Sequence, residues 1–143
     1  MRSVRNVAMD LLSRREHSRR QLSDKLSQRG FEYDEICAVL GRLESENLLN
    51  DSRFAESYIN QRIQRGFGPV RIRMELGERG ITADLIELNM EKIEHDWVDL
   101  MCQQRTKKYG TEIPQDFNEK MKQARFLQNR GFSPESVMRL FCA

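Results

Sequence analysis

The sequence has no run of apolar residues longer than Ile36 to Leu40, far short of the roughly 20 residues a membrane-spanning helix requires. Its basic N-terminus, MRSVRNVAMDLLSRREHSRRQL, lacks the apolar block of a signal peptide. The expectation is a soluble, cytoplasmic protein that engages no membrane. Cysteine is sparse: Cys37, Cys102 and Cys142 are odd in number and far apart, with no CxxC pair. That argues against a disulfide framework or a zinc site and for reduced, packing thiols. His17 and His95 are isolated, so they build no metal cluster, and His17, set among arginines, reads as a surface residue. A glycine-rich phosphate loop, HExxH and GxSxG are all missing. No cofactor, metal or catalytic residue is therefore expected, and an enzyme is the disfavoured class. Sustained period-two alternation of β-branched residues is missing as well, so strands are not required.

What is present is a phrase stated three times: LSQRGFE at 26–32, LGERGIT at 76–82 and LQNRGFS at 127–133. Aligned on Gly30, Gly80 and Gly131, the copies lie about fifty residues apart. Four positions upstream stand Leu26, Leu76 and Leu127; eight upstream stand Leu22, Ile72 and the exception Gln123. Downstream, Ile36, Ile86 and Val137 are followed four residues later by Leu40, Met90 and Phe141. Apolar residues four apart on both sides of a glycine describe two amphipathic helices separated by a left-handed cap. The residue after each glycine, Phe31, Ile81 or Phe132, is placed to fold back and seal it.

Start signals agree with this reading. Ser18 to Gln21 has capping-box form, Gly68-Pro69 puts proline at a first helical position, and Thr82 and Ser133-Pro134 cap later helices. A further helical stretch precedes each pair, at about 4–15, 52–65 and 96–108, the second capped by Asn50-Asp51. The predicted fold is all-α: three tandem three-helix repeats, 1–48, 49–94 and 95–143, in a curved, elongated array. The third copy diverges through an insertion around YGTEIPQDFN and through Gln123, as a terminal copy does when its outer face meets water.

The formal net charge of +2 hides an alternation. Residues 1–30 carry +5, 31–52 carry −5, 53–79 carry +3, 80–104 carry −5, 105–130 carry +4 and 131–143 are neutral. A helix-turn-helix reading fails on this pattern. The helix that would enter a groove, 33–47 or 83–94, is the acidic one, with Glu32, Asp34, Glu35, Glu44 and Glu46, or Asp84, Glu87, Glu91 and Glu94. The basic residues crowd the first and second helices instead. The candidate binding face comprises Arg14, Arg15, Arg19, Arg20 and Lys25, then Arg62, Arg65, Arg71, Arg73 and Arg79, then Lys107, Lys108, Lys122 and Arg125. Arg29, Arg105, Lys120 and Arg130 belong to the same basic stretches, although Arg29, Arg79 and Arg130 also sit where a cation opposes a helix dipole. The set suits DNA phosphate or an acidic protein surface; taken singly, each residue reads equally as part of a solvated, salt-bridged face. Phe67, Tyr109 and Phe117 could stack on bases, with a hinge or core role preferred; Trp97 reads as core.

At this point the residues resemble the RecX family, regulatory proteins of the RecA recombinase. LLNDSRFAESYI (Leu48 to Ile59) is similar to the family's LDDxRFA signature, and GFGPVRIRMELGERGI (Gly66 to Ile81) to its GxGPxRIxxEL…KGI segment. KKYG at Lys107–Gly110 and ARFLQNRGF at Ala124–Phe132 match its third-unit pattern. Asn50 stands where the family commonly has Asp, which keeps the capping role. The chain starts almost directly on its first helix, so a function supplied by the N-terminal extension of some members is expected to be absent or differently met. The resemblance implies non-catalytic regulation: a monomer that lodges in the groove of the RecA–DNA filament and limits its growth, ATP hydrolysis and strand exchange, with weak binding to single- or double-stranded DNA. Two other readings stay open, a helical-repeat DNA-binding protein with no RecA role and an α-solenoid adaptor.

Overall fold

A computed structural model describes residues 2–142 apart from the Cys142 side chain, so the expectation of a packing thiol there lies outside the described residues. Among the described residues the chain forms nine helices and no strand. Their order is α1 (Val4–Arg14), α2 (Arg19–Gln28), α3 (Tyr33–Ser45), α4 (Asp51–Gln64), α5 (Pro69–Glu78), α6 (Ala83–Ile93), α7 (Trp97–Tyr109), α8 (Phe117–Asn129) and α9 (Pro134–Cys142). Cys37 and Cys102 are free thiols, both partly buried.

The apolar spacing around each glycine translates directly into core. Leu22, Leu26, Ile72, Leu76, Leu127 and Val137 have no exposed surface, and Ile36, Leu40, Ile86, Met90 and Phe141 retain only a trace. Each such side chain taken from water contributes on the order of 1.5–3 kcal/mol. Gln123 occupies the position equivalent to Leu22 and Ile72, and it too is buried. The expectation that this polar residue faces water is therefore corrected. Its Oε1 accepts from Arg105 Nη1 at 3.3 Å, and Arg105 also donates to the carbonyls of Glu112 and Thr111 at 3.1 and 3.2 Å. The third repeat has exchanged an apolar contact for a polar pair that ties down its inserted loop. Arg105, part of the third basic stretch in sequence, is 3% exposed and belongs to the interior.

All three glycines close the second helix of a repeat in the same way. Gly30, Gly80 and Gly131 have φ of 89°, 85° and 105°, a region only glycine enters readily. Phe31, Ile81 and Phe132 then donate their amides back to Leu26, Leu76 and Leu127, at 3.1 to 3.3 Å. These are Schellman closures, which satisfy carbonyls left open at a helix end. Arg65-Gly66-Phe67 ends α4 likewise, with φ of 85° at Gly66 and Phe67 donating to Arg62 at 3.0 Å. That fourth copy falls off the fifty-residue period and escapes a search for it.

The starts are also as read. Ser18 and Gln21 form a complete capping box, Asn50 Oδ1 accepts from the Arg53 amide at 3.0 Å, and Ser133 Oγ from the Ser136 amide at 3.2 Å.

The helices group into two compact units. The first joins Met1–Tyr58 to Leu76–Lys92, the second Ile59–Glu75 to Ile93–Ala143. Units and repeats thus do not coincide, because helix ends from one repeat pack with the next. In the first unit, the start of α2 meets the end of α5: Ser18 Oγ donates to the Arg79 carbonyl at 2.7 Å. In the second, the start of α5 meets the end of α8: the Gly68 amide donates to the Arg130 carbonyl at 2.8 Å and Val70 to Gly131 at 2.9 Å.

Candidate functional site

The basic side chains separate into distinct environments. In the first unit, Arg14 and Arg15 close α1 beside Lys25 of α2. Lys25 Nζ lies 2.9 Å from His17 Nε2, and His17 Nδ1 lies 3.0 Å from the Arg15 carbonyl. A carbonyl can only accept, so Nδ1 carries the ring proton and Nε2 accepts from the ammonium. His17 is 1% exposed, which corrects the surface reading. Burial, chiefly, holds its pKa below 6.5, with the Arg15 and Lys25 charges adding to the effect. Burial followed by Arg15, Arg29 and Arg14 also lowers the pKa of Lys25. Sequence marks the cluster of cations here but not the neutral imidazole beneath it.

Arg19 is engaged twice within the unit: its amide donates to Asp51 Oδ1 at 2.7 Å, and its guanidinium pairs with Glu44. Arg5 pairs with Glu46 at 2.8 Å. Glu44 and Glu46 thus serve α1 and α2, while Asp34, Glu35 and Asp84 sit in first helical turns, where negative charge is favoured. The acidic segments have a structural account, and exposed acids along α3 remain unsuited to a phosphate-lined groove. Arg20 is exposed. Arg79 lays its guanidinium over the Tyr58 ring, 4.8 Å from the centroid.

In the second unit, Phe67 is enclosed by guanidinium groups. Arg62, Arg130 and Arg71 place Cζ 3.7, 4.1 and 4.4 Å from its ring centroid. Glu75, buried on α5, pairs with Arg62 at 2.9 Å and Arg71 at 3.1 Å. This arrangement gives Phe67 a packing role in place of base stacking. It also makes Arg62 and Arg71 part of a packed cluster rather than a loose solvated face. Arg130, read from sequence chiefly as a dipole partner, is a full member. Of these contacts only Arg71–Glu75, four residues apart on one helix, has a spacing that the sequence itself displays.

Elsewhere in this unit Arg65, Arg73, Lys107, Lys108, Lys122 and Arg125 are exposed. Lys108 Nζ stands 4.2 Å from the Phe126 centroid, against whose ring Tyr109 packs edge-on at 5.6 Å. Tyr109 is therefore a packing residue, whereas Phe117 is 69% exposed at the start of α8. Trp97 packs against the cluster built on Leu100, Met101 and Leu127, as expected of core.

Among the described residues no group of His, Cys, Asp or Glu could hold a metal ion. None of the described helices is long and apolar enough to cross a membrane.

Comparison with known proteins gives one family. Residues 5–43, 50–88 and 94–141 match the first, second and third three-helix domains of RecX. Regulatory protein RecX of Halorhodospira halophila is 42% identical over 135 residues, covering 94% of this chain and 84% of that protein. Regulatory protein RecX of Pseudomonas fluorescens is 44% identical over 138 residues, covering 96% and 89%. In fold, the chain is similar to the crystal structure of RecX from Lactobacillus salivarius, with a TM-score of 0.79 at 24% identity over 96% of this chain and 91% of that one.

Proposed function

The chain belongs to the RecX family, and from that premise we propose that it is a non-catalytic modulator of RecA. It binds the RecA–DNA filament in its groove as a monomer and limits filament extension, ATP hydrolysis and strand exchange in the cytoplasm. Its repeats divide near residues 48 and 94. The observation that carries the binding mode is the exposed cation on the second helix of every repeat: Arg20 on α2, Arg73 on α5, Lys122 and Arg125 on α8. Such contacts are individually weak, and several on one chain bind by avidity rather than through one strong site. They meet DNA phosphate or an acidic surface of RecA, so affinity for DNA by itself is low.

The test is a titration of RecA's DNA-dependent ATPase beside a binding curve on bare DNA. Inhibition is expected at protein levels where bare DNA is barely occupied. Tight binding to bare DNA with no ATPase effect identifies instead a DNA-binding helical array, and neither effect identifies an adaptor. Replacing Arg20, Arg73, Lys122 and Arg125 by Glu, with helicity checked by circular dichroism, abolishes inhibition. Unchanged inhibition at every salt concentration refutes the basic-face mechanism.

A further inference from the structure

Arg130 is the poorly compensated member of the cluster around Phe67. Both oxygens of Glu75 are committed elsewhere: Oε1 accepts from Arg62 Nε at 2.9 Å, and Oε2 accepts from Arg62 Nη2 at 2.9 Å and Arg71 Nε at 3.1 Å. Arg130 donates through Nη2 to the Arg65 carbonyl and to Gln104 Oε1 at 3.1 Å, both neutral acceptors. Its Nε is buried and has no hydrogen-bond partner among the described residues. Three guanidinium groups thus lie within 4.4 Å of one ring centroid, and Glu75 pairs with two of them, Arg62 and Arg71. Burial, then Arg71 and Arg62, pushes the Arg130 pKa down, as in a place short of negative charge. A buried donor left unsatisfied on a cation is costly and calls for a counter-ion.

We propose that Arg62, Arg71 and Arg130 form a binding site for one phosphate group of a nucleic-acid strand. Nε and Nη2 share one edge of the Arg130 guanidinium, the edge that grips two oxygens of a phosphate at once. Nη2 already donates to the Arg65 carbonyl and to Gln104 Oε1, and of these two neutral acceptors the Gln104 side chain is the one that a phosphate oxygen replaces. Stacking on Phe67 holds the planar groups in place beforehand, so little ordering is left to binding. The same unit carries exposed Arg65, Lys107, Lys122 and Arg125. That charge suits a polyanion over a single carboxylate side chain. The site rests on the reading that basic faces of this chain meet nucleic acid.

The experiment follows the arginine Nε–H resonances of the full chain by 15N correlation spectra, without RecA, using inorganic phosphate, acetate and a short oligothymidylate as probes at fixed ionic strength. The Arg130 signal, assigned by its loss in Arg130→Lys, moves saturably with phosphate and with oligothymidylate and ignores acetate. Arg130→Lys, and independently Arg71→Lys, weakens oligothymidylate binding about five- to tenfold near 0.1 M salt, because an ammonium keeps the charge but cannot grip two oxygens at once. The site is refuted by a signal that phosphate leaves unmoved, by an equal response to acetate, or by wild-type oligothymidylate binding in both variants. Where the resonances and affinities respond as stated but the wild-type chain fails to inhibit RecA, the site stands and the RecA reading falls.

Discussion

Ser18 Oγ donates a hydrogen bond to the carbonyl of Arg79, 61 residues further along the chain, at 2.7 Å. The same hydroxyl accepts from the Gln21 amide at 3.1 Å, so one fully buried serine caps the start of α2 and receives the end of α5. Gly68 repeats the relationship one repeat later through its amide, which donates to the Arg130 carbonyl at 2.8 Å. Helix two of the first repeat, and likewise of the second, is thus seated by its first turn on the last turn of helix two in the repeat that follows. A carbonyl that a helix end leaves open becomes the joint.

That joint separates the three related glycines. A Cβ on Gly30 meets nothing within 4 Å, whereas one on Gly80 lies 2.7 Å from the Cβ of Arg20. On Gly131 it overlaps the Arg71 Cβ and comes within 2.9 Å of its backbone nitrogen. Gly30→Ala carries only the left-handed backbone cost, about 1–2 kcal/mol. Gly131→Ala adds a steric cost of about 1–3 kcal/mol. Urea unfolding of the three alanine variants is expected to rank Gly131 above Gly30, with Gly80 between them; equal losses at all three positions would falsify the joint.

Ser18→Ala and Ser133→Ala compare a cap that is also a joint with a cap that is not. Ser133 accepts from the Ser136 amide at 3.2 Å and bonds the Ser136 hydroxyl at 2.9 Å. Loss of an N-cap costs about 0.5–2 kcal/mol. Ser18→Ala also leaves the Arg79 carbonyl without this donor, so its loss of stability is expected at or above the top of that range. Ser133→Ala falls inside it. Denaturation midpoints for the two variants decide the matter.

The fold was legible because its determinants are local and periodic. Leu22, Leu26, Ile36 and Leu40 lie within twenty residues, and each sits at a helical offset from one glycine. The candidate site was legible only as charge, since a count along the chain treats buried Arg105 and exposed Lys107 alike. Which arginines converge depends on contacts at long range: the Arg130 guanidinium reaches the Arg65 carbonyl across 65 residues. His17 was misread for the same reason. Its arginine neighbours are visible in sequence, but the packing that hides its ring comes from tertiary structure.

Burial of a neutral imidazole under Lys25 makes stability depend on pH. His17 titrates below 6.5 in the folded chain and near 6.5 when unfolded. Between those values the unfolded state binds more protons, so stability rises with pH across the window and falls as pH drops through it. The contribution is complete above about pH 7.5. Urea midpoints are expected to decline from about pH 7 towards acid, and His17→Gln, which titrates nowhere in this range, flattens that decline. A slope equally steep in the variant assigns the effect to other groups.

Arg105 and Gln123 form the polar pair that distinguishes the third repeat, and their coupling can be measured. Arg105 is 3% exposed, and three acceptors hold its guanidinium: the Thr111 and Glu112 carbonyls and Gln123 Oε1. Arg105→Leu leaves the buried Gln123 amide without its charged donor, and Gln123→Leu removes one partner from a buried cation; each is expected to cost about 2–4 kcal/mol. Replacing both with leucine restores the apolar character that Leu22 and Ile72 give their own repeats. The double variant therefore loses less than the two single losses combined, with a coupling of about 1–2 kcal/mol. Strict additivity in the cycle would mean that the pair does not act as a unit. In that case the loop at 110–116 is held by Arg105 without help from Gln123, and only Arg105→Leu makes it sensitive to proteolysis.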